Sequence, residues 1–186
     1  MGLSVIDGWL EGVRRVRSPH CNCRPENENV DLLVIHSISL PPGQYGGAWI
    51  DDFFAGHLDA SADPYFEEIC ELKVSAHMLI DRHGRVTQYV PLNQRAWHAG
   101  VSEFCGRSAC NDFSIGIEME GTDTDEFTDA QYDALVEVTG AVMKAFPGIT
   151  PERITGHSDI APGRKKDPGI GFDWQRYREV LSGFNS

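Results

Sequence analysis

Leu32-Leu33-Val34-Ile35-His36 and, further along, Phe113-Ser114-Ile115-Gly116-Ile117-Glu118-Met119 are the stretches from which the fold is read. The first follows the polar run Arg24 to Asp31 and is apolar on both faces until it reaches His36. That pattern describes a central strand buried on both sides. The second alternates, with Phe113, Ile115, Ile117 and Met119 on one face and Ser114, Gly116 and Glu118 on the other. Working outward, Val74 to Ile80, Asp81 to Arg85 and Val86 to Val90 read as strand, turn and strand, with Gly84 in the turn. Ala48 to Phe54 is a short helix ended near Gly56. Asp129 to Phe146 is the strongest helix. Thr128 caps it, Gln131 completes a capping box, Tyr132, Leu135, Val138, Val142 and Phe146 form its stripe, and Pro147-Gly148 ends it. A last helix spans Trp174 to Leu181 with Asp173 as cap, burying Trp174, Tyr177 and Leu181. Strands and helices that do not strictly alternate predict an α/β (α+β) fold, a central mixed sheet flanked by helices. No repeat or linker divides the chain, so residues 1–186 read as a single domain.

The 186 residues carry 16 Lys plus Arg against 28 Asp plus Glu, a formal charge of −12. A chain of this length buries roughly 70% of its extended surface, enough for a core without metal or disulfide staples. The acidic balance argues against nucleic acid and anionic membrane surfaces as partners, because both are held by Lys and Arg. No stretch approaches the roughly 18 apolar residues of a membrane helix. The start, Met1-Gly2-Leu3-Ser4-Val5-Ile6, lacks the basic and apolar regions of a secretory signal. Five irregularly spaced cysteines do not suggest a disulfide framework, and a cytoplasmic location is expected. Cys21-x-Cys23 beside His20 is too tightly spaced for a usual zinc knuckle.

Chemistry concentrates in Gly156-His157-Ser158-Asp159-Ile160-Ala161-Pro162-Gly163-Arg164-Lys165-Lys166-Asp167-Pro168-Gly169. Two Pro-Gly pairs mark it as an ordered loop, where function tends to sit. His157 ends the run Ile154-Thr155-Gly156 much as His36 ends its own strand. With Asp167 they supply three N/O ligands of the kind a catalytic zinc uses, leaving a fourth position open. Each residue also has a structural reading: a strand-end His is commonly just hydrogen-bonded, and Arg164-Lys165-Lys166 could be a solvated turn. Glu118 stands out as a carboxylate among apolar neighbours, to be explained by a partner, a tuned cleft position or a half-exposed sheet edge.

Four separated motifs then carry a family resemblance: Val34 to Gly43, Trp97-His98-Ala99-Gly100, Asn111 to Glu118, and Gly156-His157 through Asp167-Pro168-Gly169. In that order they resemble the AmpD group of zinc-dependent N-acetylmuramoyl-L-alanine amidases, of the amidase-2, peptidoglycan-recognition-protein fold. The likeness runs from about Gly8 to about Leu181. It implies one zinc ion per chain on His36, His157 and Asp167, with Glu118 acting on water and Lys165 stabilising the anionic intermediate. The implied reaction cleaves the amide between the lactyl group of (1,6-anhydro-)N-acetylmuramic acid and L-alanine, in muropeptide recycling. Ser37 stands where the family more often carries Asn, beside the scissile amide. Ser158, Gly163 and Lys166 also depart from its frequent residues, without touching a proposed ligand.

For the muropeptide itself, Trp97 is a candidate wall for the sugar, with His98 near the cleft. Lys73, Arg107 and Arg164 are candidates for the peptide carboxylates, whereas His77 reads as a supporting residue. Two rivals remain: a non-catalytic muropeptide-binding module of the same fold, and a cysteine hydrolase. The full ligand set opposes the first. No cysteine sits in a Gly-rich turn or at a helix start that would activate it, which opposes the second.

Overall fold

The computed structural model describes residues 2–183. Six strands form one sheet: β1 (Arg14–Arg15), β2 (Leu32–Ile38), β3 (Met78–Ile80), β4 (Val86–Gln88), β5 (Ser114–Glu120) and β6 (Ile154–Gly156). Their order across the sheet is β6-β2-β5-β3-β4-β1. Only the β3–β4 pair is antiparallel, so the sheet is mixed as expected. The helices are α1 (Trp49–Ala55), α2 (Pro64–Ile69), α3 (Asp129–Ala145), α4 (His157–Ile160) and α5 (Trp174–Ser182). Short two-stranded pairs, such as Cys21–Cys23 against Gln94–Ala96, decorate the connections.

The two long central strands are covered on both faces, and the strand period of two sorts their side chains. Leu33, Ile35, Ile115, Ile117 and Met119 pack with Leu135, Val138 and Val142 of α3 and Tyr177 and Leu181 of α5. Each fully buried Leu or Val contributes about 1.5–3 kcal/mol relative to an exposed one. On the opposite face, α1 and α2 bring Phe53, Phe54, Phe66 and Ile69 over Leu79. A third cluster, with Leu32, Val34, Ala99 and Ile160, covers the β2 end of that face. At the carboxyl ends of β2 and β5, beside His36 and Glu118, opens a cleft walled by Leu40, Phe53, Phe54 and Ile69 of the second cluster, the place where open α/β sheets bind ligands.

Local expectations hold where the local code is strong. The capping box at α3 is present: Thr128 Oγ1 accepts the Gln131 N–H, and Gln131 Oε1 accepts the Thr128 N–H, both at 3.1 Å. Gly84 sits in the β3–β4 turn at φ +77°, and a Cβ there would lie 2.5 Å from the Ala130 carbonyl oxygen. Three details are corrected. Phe113 packs with Leu32 and Val34, not with the Ile115 stripe, because the strand begins only at Ser114. Trp174 is half-buried at the rim of the core. The Gly156 to Gly169 segment contains the helical turn α4, closed by Asp159 Oδ2 accepting from the Gly156 N–H at 2.9 Å and from Thr155 Oγ1 at 2.8 Å.

Candidate active site

Three adjacent parallel strands bring the chemistry together by register alone. His36 of β2 lies opposite Glu118 of β5, and Gly156 of β6 lies opposite Ile35, which sets His157 level with His36. Asp167 reaches the same point at the far end of the loop, whose return is tied by the Ser158 N–H donating to the Asp167 carbonyl at 2.9 Å. His36 Nδ1, His157 Nδ1 and Asp167 Oδ2 stand at the corners of a triangle with 3.0 Å edges. Among the described residues this is the one cluster of at least three such side chains able to hold a metal ion. Ligands about 2.0–2.1 Å from a tetrahedral ion lie about 3.3 Å apart, so the triangle is slightly tighter than one face of such a site.

The hydrogen-bond pattern agrees with this. A carbonyl oxygen can only accept, so His157 Nε2, 3.1 Å from the Ala99 carbonyl, carries the hydrogen. In the neutral ring, Nδ1 is then a bare lone pair facing the Asp167 carboxylate. Two acceptors at that separation repel unless a cation lies between them. Burial pushes His36 down to about 4, only partly opposed by the Asp167 carboxylate 3.0 Å away, so its ring is neutral near pH 7. Burial alone would raise the Asp167 carboxyl, but the His157 and His36 imidazoles, each 3.0 Å away, outweigh it and hold it well below the usual range. Two imidazole nitrogens and one carboxylate oxygen make a donor set that fits a divalent ion of the zinc type.

Glu118 lies beside the triangle, 9% exposed, and its Oε2 has no hydrogen-bond partner among the described residues. Burial and the nearby Asp167 charge push its pKa well above the ordinary value, against a smaller opposing pull from Lys165. An unpartnered carboxylate with a raised pKa, facing a cleft, is equipped to exchange protons with whatever occupies the cleft. The cleft measures about 650 Å³, and Lys165, Ser37, Trp97 and His98 also line it. Its apolar wall includes Leu40, Phe54, Tyr65 and Ile69, and Thr122 to Thr124 form part of its rim.

The other expected residues divide. Trp97 is held in place: its indole N–H donates to Asn22 Oδ1 at 2.9 Å, and its ring stacks on His20. His98 turns its ring nitrogens toward the protein, Nδ1 lying 2.8 Å from His36 Nε2 and Nε2 3.1 Å from Ser114 Oγ. Lys73 is exposed and does not line the cleft, although its neighbours Leu72 and Val74 do. Arg107 is a correction. It pairs with Glu28 at 2.7 Å and Asp31 at 2.9 Å and lies over Phe113, away from the cleft, because those two carboxylates meet its guanidinium first. Arg164 donates to the Ala99 and Val101 carbonyls at 2.6 and 2.7 Å and is likewise engaged within the protein. His77 is the supporting residue expected: its Nδ1 accepts the Gly116 N–H at 3.0 Å, and its Nε2–H donates to the Gln94 carbonyl at 3.0 Å. His20 is occupied by Trp97 and the Val74 carbonyl, and it does not converge with Cys21 and Cys23 into a group of candidate metal ligands among the described residues.

This arrangement can be set against known proteins. Residues 26–170 match the family model described as N-acetylmuramoyl-L-alanine amidase. The chain belongs to that amidase family. The 1,6-anhydro-N-acetylmuramyl-L-alanine amidase AmpD of Escherichia coli (strain K12) is 59% identical over 175 residues, covering 94% of this chain and 95% of that protein. The crystal structure of a selenomethionine derivative of AmpD superposes with a TM-score of 0.92 at 57% identity, covering 95% of this chain and 98% of the other. AmpDh3 from Pseudomonas aeruginosa, solved in complex with an anhydromuramic pentapeptide, matches at a TM-score of 0.61 and 30% identity. It covers 84% of this chain and 61% of its own. The expected amidase fold and family are therefore both found.

Sequence reading missed what surrounds the candidate site. Helix α2, which supplies Tyr65 and Ile69 to the cleft, is too short to show a periodic stripe. Ser114, Asn111 and Ala99 also went unremarked as partners of the site. Gly116 carried the one usable signal, since an isolated glycine inside a strand marks close approach of another group. Here that group is the His98 ring, 2.5 Å from where a Cβ would stand.

Proposed function

We propose that this chain is a zinc-dependent 1,6-anhydro-N-acetylmuramyl-L-alanine amidase acting in the cytoplasm on recycled muropeptides. The observation that carries the proposal is the 3.0 Å triangle of His36, His157 and Asp167 with the unpartnered Glu118 carboxylate beside it. The substrate class is supported by the names of the relatives, and the compartment by five free thiols, which suit reducing surroundings.

In this scheme His36, His157 and Asp167 hold the zinc. When bound, the ion supplies Lewis-acid polarisation of a carbonyl and acidifies water. Glu118 takes a proton from the attacking water and returns it to the departing alanine nitrogen; its raised pKa suits both halves of that exchange. Lys165, at the cleft edge, places a cation where the carbonyl oxygen gains negative charge. Water is added across one C–N bond: the lactyl carbon keeps the hydroxyl oxygen and the nitrogen keeps a hydrogen. The products are a lactyl carboxylate and a peptide with a free L-alanine amine. Trp97 forms one wall for the sugar, Ser37 lies beside the scissile amide, and Lys73, exposed between the cleft residues Leu72 and Val74, is a candidate for a peptide carboxylate that extends past the apolar wall.

The test is metal analysis of purified protein with an anhydro-muropeptide assay before chelation, after it, and after zinc return. Activity should vanish and come back with the metal. Turnover that survives complete zinc removal refutes the scheme, and Asp167→Ala protein that keeps its zinc through dialysis removes Asp167 from the ligand set.

A further inference from the structure

The two histidines of the triangle are both steadied by one short segment, Trp97 to Gly100. His98 Nδ1 meets His36 Nε2 at 2.8 Å, and the next residue offers its carbonyl to His157 Nε2 at 3.1 Å. That segment is itself pinned. Asn111 Oδ1 accepts the His98 N–H at 3.1 Å and the Ala99 N–H at 2.8 Å. The inward face of β5 completes the mount. Ser114 Oγ lies 3.1 Å from His98 Nε2, and Gly116 leaves the space the ring fills. Along one strand face, then, Ser114 anchors the ring, Gly116 makes room for it, and Glu118 faces the reaction.

We infer that His98, with Asn111 and Ser114 behind it, is a positioning residue of the metal centre and not a substrate contact. The direction of the hydrogen bonds gives the reason. His36 can offer the Nδ1 lone pair to a metal only if its Nε2 carries the hydrogen. His98 Nδ1 must then accept, and His98 Nε2–H must donate to Ser114 Oγ. The chain Ser114–His98–His36 can also run the other way, with the serine hydroxyl donating, and that direction places a hydrogen on His36 Nδ1 and blocks the metal. His157 is held more firmly: the Ala99 carbonyl 3.1 Å from its Nε2 only accepts, and the one competing donor, the Arg164 guanidinium at 3.5 Å, is already spent on the Ala99 and Val101 carbonyls. The metal affinity of this site is therefore set through His36 and its imidazole partner. Outer partners of ligating histidines are generally worth 10–100-fold in metal affinity.

The inference rests on the zinc reading, and the experiment separates the two. The zinc dissociation constant of the full-length protein is measured by competition with a chromophoric chelator for the parent, His98→Leu, His98→Asn and Ser114→Ala. Folding is checked by circular dichroism in excess zinc, and KM is measured on zinc-saturated protein. His98→Leu removes the acceptor and should weaken zinc about 10–100-fold. In His98→Asn, a side-chain oxygen near the former Nδ1 should recover most of that loss. Ser114→Ala, which keeps the ring and is the variant to use if His98→Leu does not fold, should weaken zinc by several-fold. KM should stay within about twofold of the parent throughout. Zinc affinity unchanged in His98→Leu and Ser114→Ala, or a raised KM with affinity intact, overturns the assignment. A parent protein that takes up no zinc overturns the metal reading itself.

Discussion

Replacing Glu118 by Gln should make the protein more stable and nearly inactive at once. The carboxylate is 9% exposed and its Oε2 has no partner, so the folded chain bears the cost of desolvating a charge it does not pair. Leaving a buried group unsatisfied costs about 1–3 kcal/mol, and more when it is charged. Gln keeps the shape and an unpartnered polar group but drops the charge, so metal-free Glu118→Gln should recover only the extra cost of that charge, about 1–3 kcal/mol at pH 7. For a chain of this size that is roughly 2–12 °C in the thermal midpoint. The sign follows from proton linkage. Burial and Asp167 raise the folded pKa above the unfolded value of about 4.5, so the native state holds a proton the unfolded state has released. Stability of the parent therefore falls as pH rises from about 4.5 toward the folded pKa. The advantage of the variant should be absent below about pH 4 and grow above it. Turnover should fall by about 10² to 10⁴, the usual contribution of a general base. Calorimetric melts of metal-free protein between pH 4 and 8, with assays on zinc-loaded protein, measure both effects. A variant that is less stable at every pH shows that the carboxylate is satisfied in the fold. Activity within about threefold of the parent removes Glu118 from the chemistry.

Two other expectations probe the scaffold. Thr128→Ala deletes the hydroxyl half of the α3 capping box and should cost about 0.5–2 kcal/mol in urea unfolding, with kinetics unchanged because α3 packs on the sheet face opposite the cleft. An unaltered midpoint would mean that Gln131, whose amide also donates to the Glu120 carbonyl at 2.9 Å, holds the helix start alone. His77 is driven down to about 3 by burial and by the nearby Arg24 charge, so the folded protein keeps it neutral while the unfolded chain protonates near pH 6.5. Below that pH the unfolded state binds the extra proton, and stability should fall by up to about 1.4 kcal/mol per pH unit through this one group. His77→Asn, which keeps an acceptor for the Gly116 N–H, should have a shallower slope between pH 6.5 and 5 in metal-free unfolding. Identical slopes would show that His77 is already protonated in the fold.

Much of the framework was legible because its code is local. The run Leu32 to Ile35 is apolar on both faces and became a strand covered on both faces. Ile115, Ile117 and Met119 alternate with Ser114, Gly116 and Glu118, and the sheet separates those sets onto the core side and the cleft side. The Thr128-Gln131 box and the Leu135-Val138-Val142 stripe specify α3 without tertiary help. Elements of two or three residues, such as Cys21–Cys23 and Gln94–Ala96, were not legible, because they exist only through pairing with segments distant in sequence. Arg107 was misjudged for a related reason: a charge in a sequence has no visible partner, and Glu28 and Asp31 reach it only in the folded chain.

What the sequence by itself determined is the inventory and its likeness: a strand-end His36, a loop bearing His157 and Asp167, a carboxylate on a buried strand, and the motif order of an amidase family. What only the tertiary structure decided is how those groups meet. Parallel register sets His36 against Glu118, and a returning loop brings Asp167 within 3.0 Å of both histidines. The same fold turns His98 from the cleft toward His36 and leaves Glu118 Oε2 unpartnered. Periodicity reports which face of its own element a residue occupies. The partner across 62, 121 or 131 residues of chain is set by register and loop closure, which no local pattern encodes.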